Sequence, residues 1–234
     1  MMKHNTRVHA AGILIAAMLA GGCQKDTGLK KTPPEVKLYG VESARVEYAY
    51  TGDVKGTKNL LIANYGMYER DQDEFTVNMD GQTSEVKSLT IRLDSTDYQI
   101  DLAKKQGRKT PFALGLLKNF ADKLNPQQRE NLNAELIQRT MGGKKVGTET
   151  ILGKTCDIYE IPSGGRLSLW KGIMMRQDIP MGEVRFGIVA KKLETDINPT
   201  IEDFAVPPGI SFEQPMPQMP PAPPPQNPPQ GGGR

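Results

Sequence analysis

"GTETILGKTCDIYEI", Gly147 to Ile161, is the stretch on which the fold turns, because its Gly-Lys-Thr suggests a nucleotide phosphate loop. A phosphate loop places four residues between its first glycine and Gly-Lys-Ser/Thr, and a helix must follow to present its N-terminal N–H groups. Here five residues separate Gly147 from Gly153, and Thr155 runs on into Cys156, Ile158 and Glu160 alternating with Asp157, Tyr159 and Ile161. That alternation is strand chemistry, so no helix follows the loop. The segment predicts a β-hairpin instead, with a strand over Thr148–Leu152, a turn at Gly153-Lys154 and a second strand over Thr155–Ile161.

The same period of two extends outward in both directions. Ala44, Val46, Tyr48 and Tyr50 alternate with Arg45, Glu47, Ala49 and Thr51; after a "TGDVKGT" connection, Leu60, Ile62 and Asn64 alternate with Leu61, Ala63 and Tyr65. Further strands are predicted at Phe75-Val77-Met79 ending on an Asp80-Gly81 turn, then at Leu89-Ile91-Leu93 and Tyr98-Ile100-Leu102. Beyond the hairpin they continue at Leu167-Leu169, 173–179 and 184–190. Nine or so strands with one apolar face each describe a large, curved antiparallel sheet. One interruption is helical: Leu114, Leu117, Phe120, Ala121 and Leu124 recur at spacings of three and four. Asn125-Pro126 then starts a second helix with an N-cap, proline in the first turn and Gln128 three beyond the cap; Leu132, Leu136 and Ile137 carry its apolar face to Met141-Gly142-Gly143. The expected fold is mainly β with a helical hairpin: a curved antiparallel half-barrel sheet with helices over the concave face.

The termini speak to location. Residues 1–22 contain Lys3, Arg7, an apolar run from Ala10 to Ala20 and no acidic residue, the layout of a secretory signal. "LAGGCQ" resembles the lipobox of bacterial lipoproteins, which implies cleavage before Cys23 and acylation there, with Gln24 pointing to the periplasmic face of the outer membrane. The run is too short to span a bilayer, so attachment is expected through palmitate-type chains on Cys23. Residues 23–40 read as a lipidated tether that forms no core, 41–212 as one domain, and 213–234, "EQPMPQMPPAPPPQNPPQGGGR", as a proline-rich tail favouring polyproline II.

Cleavage removes Lys3 and Arg7 and brings the net charge from +3 to near +1, which argues against nucleic acid as a partner. It also removes His4 and His9, the two histidines of the chain, leaving no imidazole for general-base work or metal ligation. Cys156 is then the remaining thiol, and its alternation with Ile158 reads as a small buried hydrophobe. "SLWK", Ser168–Lys171, has the Ser-x-x-Lys spacing of penicillin-binding enzymes, but in a strand residues three apart face opposite ways. "ERDQDE", Glu69–Glu74, gathers carboxylates without calcium-loop spacing and reads as a solvated turn between strands.

"YAYTGDVKGTKNLLIANYG" (48–66), "LGKTCDIYEI" (152–161), "LWKGIMMR" (169–176) and "FAVPPGISF" (204–212) together resemble bacterial envelope proteins similar in architecture to Lol-type lipoprotein carriers and receptors. That resemblance implies a half-barrel with a helical lid over a hydrophobic cavity. Candidate cavity residues are Leu114, Leu117, Phe120, Trp170, Ile173 and Met174; for the Trp170 group, ordinary core is the alternative. The expected protein is a monomeric, membrane-anchored binder with no cofactor, no metal and no catalytic residues. It holds an acyl chain or lipid, or else fills its cavity with its own side chains and engages an envelope protein through its surface.

Overall fold

A computed structural model describes residues 28–29, 33–79, 81–93 and 95–213. The signal segment, Cys23 and the proline-rich tail beyond residue 213 lie outside the described residues. The chain forms one open, curved sheet of twelve strands. In chain order these are β1 (Ala44–Gly52), β2 (Val54–Ala63), β3 (Tyr68–Met79), β4 (Gln82–Leu93), β5 (Thr96–Asp101), β6 (Gln106–Pro111), β7 (Lys144–Ile151), β8 (Lys154–Glu160), β9 (Arg166–Trp170), β10 (Ile173–Met181), β11 (Val184–Thr195) and β12 (Ser211–Phe212). Across the sheet they run β12-β6-β5-β4-β3-β2-β1-β11-β10-β9-β8-β7, all pairs antiparallel except β12 on β6. The two strands that the sequence pattern lacks are this edge pair, since "QGRKTP" carries no apolar alternation.

The opening hairpin is present, with its turn one residue earlier than expected. Ile151 pairs with Lys154, and the two loop residues are Leu152 (φ 49°) and Gly153 (φ 71°), the two positive φ values of a type I′ turn. The "TGDVKGT" connection also tightens: β1 runs to Gly52 and β2 resumes at Val54, so most of it is strand. Gly56 is needed there because a Cβ would sit 2.1 Å from the Glu74 carbonyl oxygen of β3.

Because β6 and β7 lie at opposite ends of the sheet, the chain between them must traverse one face. It does so with α1 (Leu114–Ala121), α2 (Pro126–Arg129) and α3 (Leu132–Thr140). The Asn125–Gln128 capping box forms as the sequence predicts, with the Gln128 N–H donating to Asn125 Oδ1 at 2.9 Å. The expected single second helix, however, breaks at Asn131 (φ −148°, ψ 69°). The N–H groups of Leu132 and Asn133 donate to the Lys37 and Leu38 carbonyls instead of continuing the α2 ladder. Those carbonyls belong to the segment expected as a coreless tether, and that expectation is overturned for its last residues: Val36, Leu38 and Tyr39 are buried core. Alternation gave no signal there because the segment is a strap, neither helix nor strand.

The strap is fastened on three sides, to α3, to Tyr65 through the N–H groups of Leu38 and Tyr39, and to the β9–β10 turn through Gly40 N–H on Lys171 O at 2.9 Å. Gly172 completes that turn at φ +80°, where a Cβ would stand 2.5 Å from Asn131 Oδ1 and 3.0 Å from Leu38 O. Gly172→Ala is therefore expected to cost about 1–2 kcal/mol through backbone strain and displacement of the strap, read as a lower urea midpoint. An unchanged midpoint would show that the strap does not constrain the turn.

The two faces of the sheet are covered differently. Ala134 and Ile137 of α3 pack with Tyr159, Leu167 and Leu169 on the inner, helix-covered face. The outer face of β3 and β4 is covered by a 3-10 turn, Ile201–Phe204, whose Phe204 is fully buried against Tyr68, ring centroids 5.8 Å apart.

Candidate functional site

Glu69-Arg70-Asp71-Gln72-Asp73-Glu74 lies inside β3, not in a turn, and this corrects the sequence expectation. A strand's period of two turns alternate residues to the same side, so Glu69, Asp71 and Asp73 all face inward with their side chains only 14–22% exposed. Three carboxylates tolerate this burial because neighbouring strands bring cations into register. Lys58 of β2, opposite Asp73, reaches Asp71 at 2.5 Å and Asp73 at 3.5 Å. Arg92 of β4, opposite Glu69, reaches it at 3.2 Å and takes Asp97 of β5 at 3.0 Å.

Phenols complete the network: the Tyr50 hydroxyl donates to Asp73 at 2.5 Å and the Tyr39 hydroxyl to Glu69 at 2.9 Å. Burial, with the carboxylates beside them, holds the Tyr39, Tyr48 and Tyr50 hydroxyls well above the usual phenol range, so they remain donors. Burial likewise pushes the Asp71 carboxyl up to about 6, outweighing the opposing pull of Lys58. A buried ionic network of this kind contributes little net stability compared with an apolar core.

This network forms the floor of a cleft of about 300 Å³ between α3 and the sheet, at the lower end of the size range of ligand pockets. Its polar residues include Tyr48, Lys58, Glu69 and Asp71, and its apolar walls include Leu60, Leu136, Ile137, Leu169, Met174 and Ile188. Met141, 45% exposed, also lines it from just beyond the C-terminal end of α3. A larger hollow, about 650 Å³, lies on the β4–β6 edge and is lined by charged groups such as Glu85, Lys87, Lys104 and Arg108, which disfavour an apolar guest.

The six candidate cavity residues do not converge. Met174 lines the α3 cleft, while Leu114 lines a separate groove with Val36, Met67 and Lys118. Ile173 is fully buried core, and Trp170 is half-buried beneath the ammonium groups of Lys154 and Lys171, at 4.8 and 5.2 Å from its ring. Leu117 and Phe120 pack partly buried against the main core, with Arg139 5.9 Å from the Phe120 ring. Helical periodicity identified the α1 residues, but strand order assigns the cleft to α3. The signal that could have found the floor is the E-x-D-x-D alternation within a strand.

Other sequence motifs take structural places. Ser168 is buried on β9 and donates to Glu149 at 2.5 Å, whereas Lys171 sits in the following turn over Trp170. Cys156 is buried and free, with its thiol pushed up by burial.

The chain is thus an open antiparallel half-barrel whose helices close over an amphipathic cleft. No family model matches the sequence, and no curated protein matches it. Among solved structures it is similar to an uncharacterized conserved protein from Thermus thermophilus, at 8% identity over 73% of this chain and 89% of that one, TM-score 0.47. It is similar to MucB at 14% identity over 72% of this chain and 58% of that one, TM-score 0.39. It is also similar to LprF from Mycobacterium bovis at 14% identity over 69% of this chain and 90% of that one, TM-score 0.30.

Proposed function

We propose that this chain is a monomeric, lipid-anchored protein of the bacterial envelope that binds an acyl chain or lipid in the α3 cleft and performs no catalysis. The observation that carries the reading is the cleft itself, whose walls of Leu, Ile and Met can take an aliphatic chain. Met174 and Met141 add unbranched side chains that re-pack around guests of different shape. The anchor rests on the sequence, where a basic, apolar, small-residue leader ends at Cys23. Acyl chains on Cys23 hold the domain at the membrane, and the cleft handles lipid or lipoprotein chains near that surface.

Expression of the full chain carrying Cys23→Ser tests both halves. The variant should leave the membrane fraction, stay folded, and carry a copurifying lipid at defined stoichiometry in native mass spectrometry. Retention on membranes would overturn the anchor. A clean protein mass, unchanged by incubation with envelope lipids, would overturn the ligand and favour a filled cleft with a protein partner at the surface.

A further inference from the structure

The floor of the cleft holds two polar atoms that the protein leaves without a partner. The Tyr48 hydroxyl has none although Tyr48 is only 2% exposed, and Asp71 Oδ1 has none although its other oxygen holds Lys58. Both residues line the cleft, on β1 and β3, with Lys58 on the strand between them. A buried polar atom without a hydrogen bond is costly, so two such atoms on residues that line one cleft call for a guest that serves both.

The chemistry of the pair specifies that guest. Tyr48 offers an O–H donor and Asp71 Oδ1 an acceptor, so the complementary group must accept from one and donate to the other. An alcohol hydroxyl does both. A carboxylate or phosphate monoanion supplies acceptors but meets Glu69 and Asp71 in the lining. Lys58, the one cation lining this cleft among the described residues, already lies on Asp71 and Asp73. An ester without a hydroxyl has no donor for Asp71 Oδ1, so it does not seat between the two atoms and is held by its chain alone.

Resting on the acyl-chain reading above, we infer that the cleft is selective for lipids with an uncharged, hydroxyl-bearing head, seated between Tyr48 and Asp71 with the chain along α3. Acylglycerols and long-chain alcohols are the chemical class, and free fatty-acid anions are excluded. The apolar walls set affinity for the chain, and the two unmet atoms set the head.

Displacement of a fluorescent apolar probe from the full chain carrying Cys23→Ser measures this directly at pH 8. Three competitors share one chain: 1-monopalmitoylglycerol, methyl palmitate and palmitate. The glycerol ester is expected to bind about tenfold more tightly than either of the others, the ratio one satisfied buried hydrogen-bonding group provides. Tyr48→Phe, which keeps the ring, should shrink that preference to within about threefold while methyl palmitate binds as before.

Palmitate binding as tightly as the glycerol ester, or a preference that survives Tyr48→Phe, would overturn the head-group assignment and leave the acyl-chain cleft standing. Equal affinity for all three would mean that water occupies the floor, and it too would overturn the assignment. Failure of all three to displace the probe would instead remove the acyl-chain reading on which it rests. Should Tyr48→Phe not fold, the comparison of the three ligands on the unmutated cleft still decides.

Discussion

Phe204→Ala is expected to destabilise the protein by about 3–5 kcal/mol, the largest single effect of a side-chain truncation foreseen for this chain. Phe204 is fully buried at the end of the 3-10 turn that seals the outer face of β3 and β4. Beneath that face lie Leu89 and Ile91, fully buried although the outer side of an antiparallel sheet normally meets water. Their burial depends on the segment after β11 folding back, which the Thr200 N–H on Asp203 (2.7 Å) helps to shape and Arg70, reaching the Ala205 carbonyl at 3.5 Å, helps to hold. Removing the ring leaves a cavity and detaches the cover at its best-packed point. Denaturant midpoints at constant m-value measure the loss, and amide exchange should rise first in residues 197–212. A change below about 1 kcal/mol would mean that the cover contributes little to the fold.

Asp71→Asn is expected to gain on the wild type by about 2–3 kcal/mol between pH 4 and pH 7.5. The folded-state pKa of Asp71 is raised from 3.8 to about 6, chiefly by burial. Between those two values the native state holds a proton that the unfolded state has released. Stability from this group therefore falls as pH rises through about 4 to 6 and is level above it. Asparagine does not titrate, so the variant escapes that loss, and the pH dependence of the difference isolates the one carboxyl. Urea melts of both proteins at several pH values give the comparison. A difference that stays constant across the window would show that Asp71 ionises normally and that the floor is more hydrated than its burial implies. The same substitution puts a carboxamide where the cleft has a carboxylate, so lipid selectivity and pH dependence should change together.

Much of the architecture is legible in the chain because the information is local. Period-two alternation marks ten of the twelve strands, and the Asn125-Pro126-Gln-Gln128 signature marks the start of α2 to the residue. What escaped local reading shares one cause, contact between residues far apart in sequence. α2 and α3 separate because Lys37 and Leu38, almost a hundred residues earlier, capture the N–H groups of Leu132 and Asn133. Strap residues 36–39 carry no periodicity, since their burial is imposed by α3, Tyr65 and the β9–β10 turn around them. The acidic run at 69–74 looks solvent-facing on composition alone, and only the registers that set Lys58 and Arg92 opposite it make its burial tolerable.

The sequence by itself determined the class of fold, since side-chain alternation, capping residues and turn glycines act within a few residues of one another. Tertiary structure alone decided the site. Strand order sent β6 and β7 to opposite ends of the sheet, so the helices between them had to cross its face and α3, not α1, came to close the cleft. Register then set Tyr48, Lys58 and Asp71 beneath it. Which polar atoms a fold leaves unmet is a property of that assembled geometry, because a hydroxyl or carboxylate oxygen acquires or lacks a partner only when strands distant in sequence meet.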